Sequence, residues 1–204
     1  MGDSQHRKQL SVSEMERARH VLRSAWESLP PAHRMLLEAI GASQWQVVNE
    51  PLGGAVDGFL RSAGHRTLPS SVQRKLDLAQ GVWLQELRII LIDAGHTKLI
   101  GIDTPTYEWF LARTAWHEWG HALSVARCSQ EDVAAGTRLL GLAPPGVSEG
   151  IRKAGYRSTD YTHELVAEIY ALLMARRQRK VSGRPPWLND EIYNLVKRVT
   201  GWSD

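Results

Sequence analysis

Met15, Ala18, Val21, Leu22 and Trp26 recur at intervals of three or four residues. That period places them on one face of an amphipathic helix running to about Leu29, with Ser11 or Ser13 as its cap. Pro30-Pro31 breaks this helix, and a second is expected to about Ile40. Trp45 to Asn49 reads as a short strand. Residues 51 to 70 hold many Gly and Ser and are expected to be loop. Ser71 to Gln80 is expected to be helical. Leu87 to Asp93, rich in β-branched side chains, is the clearest strand. Ala94-Gly95-His96-Thr97 turns it, and Lys98 to Ile102 is expected to return as the second strand of a hairpin.

Helices dominate the remainder. Asp103-Thr104-Pro105 is a helix start, with Thr104 as cap and Pro105 at the first helical position. From Thr106 to Arg127 there is no further Pro, and Gly120 is the one interruption. Its cost of about 1 kcal/mol relative to Ala is explained if another backbone or a substrate approaches closely there, with plain helix packing as the alternative. Ser129 with Asp132 opens a helix in the spacer, Pro144-Pro145-Gly146 stops it, and Ser148 starts a short one. Leu165, Ile169, Leu172 and Leu173 then form a core stripe at helical spacing. Residues 182 to 186 read as a linker, and Asn189 or Asp190 caps a last helix to about Val199. Residues 1 to 10 are polar and expected to be disordered. The sum is an α+β chain, mostly helical with a small sheet.

Inside the long helix lies His117-Glu118-Trp119-Gly120-His121, an H-E-x-x-H pattern. Two His at i and i+4 stand one above the other on a helix face, so both imidazoles can reach one metal ion. Glu118 faces the same cleft, where a carboxylate can take a proton from metal-activated water. Neutral imidazole suits zinc, which needs a third protein ligand and keeps a fourth position open. Glu164 and Glu168 lie beside the downstream apolar stripe, next to Ala171 and Ala175. Carboxylates buried there would be costly unless paired or bound to a cation; the alternative is that both simply face water, as Glu usually does.

His117 to Leu123, a long spacer, and then Gly155 to Ala171 (G-Y-R-S-T-D-Y-T-H-E-L-V-A-E-I-Y-A) together resemble the gluzincin metallopeptidases. Within them the likeness is to the catalytic domain of anthrax lethal factor and its relatives, over roughly residues 85 to 180. The resemblance implies a zincin-like fold with a small twisted sheet whose edge strand holds an extended peptide. The hairpin before the long helix is the candidate for that edge. It implies zinc on His117, His121 and Glu164, with Glu118 as general base. Glu168 becomes the acid that orients a ligand His. Tyr156 is placed near the family's oxyanion-stabilising Tyr, with Tyr161 as its rival. A weaker likeness is to the ImmA/IrrE-type regulatory peptidases. That likeness implies a regulatory or partner-binding protein with narrow or no proteolytic activity.

On this reading residues 1–42 form an N-terminal helical segment. Residues 43–181 form the metallopeptidase domain, and residues 182–204 a linker and helix packed on it. The 204 residues and 43% hydrophobic content fit one globular domain, or one domain with an appendage. Cys128, the one cysteine, excludes an intrachain disulfide and is expected to be a packed thiol. A net charge of +3 is too weak to argue for nucleic-acid binding. The run from Arg176 to Lys180 is read as cations favoured at a helix C-terminus. No apolar run reaches membrane-spanning length, and the N-terminus has no apolar signal segment. A cytoplasmic protein, or one exported without a signal peptide, is therefore expected, acting on a protein or peptide substrate.

Overall fold

The computed structural model describes residues 7–181 and 183–203. In chain order its elements are α1 (Val12–Glu27), α2 (Pro31–Ala39), β1 (Gln44–Val48), α3 (Leu52–Ser62), α4 (Ser70–Leu76), β2 (Gly81–Leu84) and β3 (Ile89–Asp93). There follow α5 (Thr104–Arg127), α6 (Gln130–Ala134), α7 (Gly136–Gly141), α8 (Pro145–Lys153), α9 (Tyr161–Gln178) and α10 (Asp190–Thr200). Helix makes up 62% and the strands form one small mixed sheet, so the class is α+β. No helix among the described residues is long and apolar enough to cross a membrane.

Two compact units divide the chain. One joins residues up to Glu27 with Gly41–Ala115, and the other joins Ser28–Ile40 with residues from Trp116 onward. They interleave along the sequence. The first half of α5 belongs to one unit and the second half to the other.

In the first unit, Ser11 caps α1 in a reciprocal box. Its backbone N–H donates to Glu14 Oε2 at 2.8 Å, and Glu14 N–H donates to Ser11 Oγ at 3.3 Å. The sheet order is β1-β3-β2, with β1 parallel and β2 antiparallel to β3. Central β3 buries Ile90, Leu91 and Ile92 completely, and because successive side chains point to opposite faces, both faces of the strand are covered. The expected return strand over Lys98–Ile102 is not formed. His96 Nδ1 accepts the Lys98 N–H at 3.2 Å, and Thr97–Leu99 closes into a 3-10 turn. The antiparallel partner of β3 is instead β2, which precedes it. The edges of the sheet are therefore β1 and β2, and the expected hairpin over 87–102 is replaced by β2–β3.

The expected loop over 51–70 is also corrected, because α3 occupies most of it. Leu52, Ala55 and Val56 are buried with Val48 and Leu91, and Phe59 and Leu60 pack against that cluster. Gly53 lowers local helix propensity, but a Cβ there would lie 2.5 Å from the Gln73 carbonyl oxygen in α4. Close packing outweighs the propensity deficit. Of the expected disordered segment, residues 1 to 6 lie outside the described residues. Arg7 pairs with the fully buried Asp93, and Lys8 pairs with Glu14 at 2.7 Å.

In the second unit α9 is buried on nearly every side. Leu165, Val166, Ala167, Ile169, Tyr170, Ala171, Leu173 and Met174 are all buried, with α6, α7, α8 and α10 packed around it. A helix apolar all round belongs in a core. The Ser129–Asp132 capping box opens α6 as its sequence predicts. α8 starts at Pro145 rather than Ser148, because Pro suits the first turn. Asn189 caps α10, and Gly201 closes it at φ 74°.

Candidate metal centre

Asp103, not Thr104, caps the helix that carries the H-E-x-x-H pattern. Its Oδ1 accepts the Thr106 N–H at 2.8 Å, and Thr104 is already helical. From that start α5 runs unbroken through the motif. His117 and His121 stand one turn apart, their rings edge to face with centroids 4.6 Å apart and their Nε2 atoms 3.0 Å apart.

Glu164 comes to them from the first turns of α9. Its carboxylate lies 3.4 Å from His121 Nε2 and 3.8 Å from His117 Nε2. One ligand atom from each of the three residues falls within 4.8 Å of the others. Donors about 2.0–2.2 Å from a tetrahedral zinc stand roughly 3.3 Å apart. The observed separations bracket that spacing, so this donor set fits a zinc ion held by two imidazoles and one carboxylate. The structure brings the three expected ligand residues together.

Gly120 makes this approach possible. A Cβ on it would lie 2.7 Å from Ala167 Cα in α9. The close backbone approach anticipated from its position in the helix is therefore present, between α5 and α9. On the other side of α9, Thr162 Oγ1 donates to Asp132 O at 2.8 Å. Gly136 leaves room for that hydroxyl, which would sit 2.8 Å from any Cβ placed there.

Glu168, one turn beyond Glu164, places its carboxylate 3.5 Å from His117 Nδ1. The Nδ1 side of a ligand imidazole facing a carboxylate favours the tautomer that leaves Nε2 free to bind a metal. Glu118 is only 6% exposed. Burial acts to lower the His121 pKa, but the hydrogen bond and charge of Glu164, with Glu118 and Glu168, outweigh it and raise the pKa. The site is strongly acidic apart from its two imidazoles, which suits a cation.

Tyr156 follows Gly155, whose φ of 72° makes the turn out of α8. Burial, the charges of Glu164 and Glu118, and a hydrogen bond to Glu164 raise its phenol pKa well above the usual value. Its hydroxyl thus shares the surroundings of Glu164 and Glu118, although the residue is 41% exposed. Tyr161 is the first residue of α9 and half-buried.

His163, adjacent to Glu164, is turned elsewhere. Its Nδ1 lies 2.7 Å from Ser124 Oγ, and burial, then the nearby His121, lowers its pKa. Ser124 was not singled out by sequence reasoning. The available signal was a lone hydroxyl three residues after His121 on an apolar helix face. Cys128 lies 3.4 Å from the same Oγ, half-buried and free. Burial raises its pKa, which agrees with a packed thiol rather than a nucleophile. No protein-family model, curated protein or solved structure matches the chain.

Proposed function

We propose that this protein is a zinc-dependent endopeptidase. The observation that carries the reading is the convergence of His117, His121 and Glu164 within 4.8 Å on a helix whose pattern also supplies Glu118. A zinc ion held by these three would acidify water and polarise a carbonyl. Glu118 serves as general base, taking a proton from the attacking water and passing it to the leaving nitrogen. Tyr156 donates a hydrogen bond to the carbonyl oxygen as negative charge develops there. Glu168 orients His117 through Nδ1. A site that only binds metal has no use for a buried carboxylate at position 118, so Glu118 favours hydrolysis over storage. The substrate class is protein or peptide, as the resemblance to gluzincins implies.

Metal analysis and peptide cleavage test this together. The purified protein is expected to carry one zinc per chain, and His121→Ala to lose it. His163→Ala is expected to keep its metal, because that ring is held by Ser124. Glu118→Gln is expected to retain zinc and fold while losing cleavage by several orders of magnitude, roughly. Full zinc occupancy in His121→Ala removes the ligand assignment. A zinc-loaded wild type that cleaves nothing Glu118→Gln spares leaves a zinc-dependent binding domain instead of a peptidase.

A further inference from the structure

α9 ends in Arg176, Arg177, Gln178, Arg179 and Lys180. The simplest use of these cations is to offset the partial negative charge of a helix C-terminus. The backbone already does much of that work. Val181 N–H donates to Arg176 O at 3.0 Å, and Lys180 N–H donates to Arg177 O at 2.9 Å. These are the two crossed bonds of a Schellman closure, which satisfies the terminal carbonyls without side chains. The closure holds Lys180 at φ 57°, a left-handed position normally filled by Gly or Asn. A Lys there is disfavoured by its Cβ and adds to the repulsion among four cations spaced within one turn.

Among the described residues none of Arg176, Arg177, Arg179 and Lys180 forms an ion pair with a carboxylate. Arg176 Nε is buried and has no hydrogen-bond partner there, an arrangement native proteins avoid. Beside it lies a cavity of about 150 Å³, whose lining includes Arg176, Arg177 and Lys180 together with Leu173, Val181 and Trp202.

We propose that this cavity binds a phosphomonoester, its phosphoryl group held by Arg176, Arg177 and Lys180 and its apolar part set against Leu173, Val181 and Trp202. A dianion matches more than one guanidinium, and the planar fork of Arg suits phosphate oxygens. A carboxylate would leave most of the positive charge uncompensated. A nucleic-acid backbone needs a track of cations, whereas these converge on one cavity. The site is separate from the residues of the metal centre and does not depend on zinc.

Calorimetric titration of the full chain with phenyl phosphate, inorganic phosphate and benzoate tests the assignment. Each is run with and without a chelator, so that phosphate bound at a metal centre is separated from this cavity. Phenyl phosphate is expected to bind at least about tenfold more tightly than either of the others. Arg176→Met should abolish that preference. Lys180→Gly should weaken phenyl phosphate binding about fivefold or more while leaving the thermal midpoint unchanged or raised, because Gly suits the left-handed backbone. That variant keeps the test decisive if Arg176→Met fails to fold. No heat from phenyl phosphate at millimolar concentration overturns the proposal. Equal affinity for benzoate, or unchanged binding in Lys180→Gly, does the same. Tighter binding of a short single-stranded oligonucleotide in the same titration would reassign the cations to nucleic acid.

Discussion

The Tyr156 phenol shares its surroundings with Glu164 and Glu118, and burial and those charges raise its pKa further above that of an ordinary phenol, which is already protonated at neutral pH. A protonated phenol is what an oxyanion donor requires. Such donors act mainly in the transition state. Tyr156→Phe is therefore expected to lower kcat by roughly 10²–10³ with little change in zinc affinity, and Tyr161→Phe to be mild. Steady-state kinetics of the two variants decides between them, and the reverse pattern would hand the role to Tyr161. A different side chain sets a pH limit on stability. His33 is 1% exposed, and its Nδ1 lies 3.0 Å from the Tyr170 hydroxyl. Burial, with a smaller contribution from the Arg177 charge and against a Gly201 backbone contact, lowers its pKa from 6.5 to about 4. The folded state thus favours neutral His33 more than the unfolded state does. Its contribution to stability is whole above about pH 6.5 and is lost as pH falls through about 4, by about 3 kcal/mol. Urea unfolding at pH 7 and pH 4 should show a smaller difference in His33→Gln than in the wild type. Equal differences would place the acid sensitivity elsewhere.

At the level of elements, the pairing of α5 with α9 makes the centre. Gly120 against Ala167 sets how closely the two helices approach, and that distance sets whether Glu164 reaches both imidazoles. A methyl group at position 120 meets backbone, which cannot rotate aside. Gly120→Ala gains about 1 kcal/mol of helix propensity, yet overpacking of this kind costs about 1–3 kcal/mol. The expected net effect is destabilisation together with weaker zinc binding, as α9 is pushed outward. Chemical denaturation and zinc competition assays measure the two separately. A variant as stable and as tightly metallated as the wild type would show that the contact has slack.

On the scale of the whole molecule, all the proposed site residues belong to one of the two units, the one that contains α6 to α10. Metal that binds the native state adds about 2.7 kcal/mol when its free concentration is a hundred times its Kd. Chelation should therefore lower the thermal midpoint. It should also raise amide exchange in α9 around Glu164 and Glu168 while leaving the β3 amides of Ile90 to Ile92 nearly unchanged. Hydrogen exchange with and without chelator reads both regions in one experiment. Equal loss of protection in β3 would mean that the two units unfold as one.

Local spacing determined a good deal by itself. The i, i+4 His pair, the uninterrupted helix around it, the Ser129–Asp132 box and the apolar run of β3 are all properties of neighbours in sequence. They are written in periodicity and capping chemistry, and they hold in the structure. What local spacing does not contain is the identity of the partner across a gap. The Gly-rich stretch that became α3 is helical because its Leu and Val side chains find a cluster to bury in and Gly53 lets α4 come close. β3 pairs with β2 before it and β1 far before it, while the turn after it closes on His96. Glu164 and Glu168 are alike as letters, both acids beside one stripe. Only the packing of α9 on α5 separates them, because burial and distance depend on what lies opposite a residue: Glu164 faces both Nε2 atoms, and Glu168 faces Nδ1.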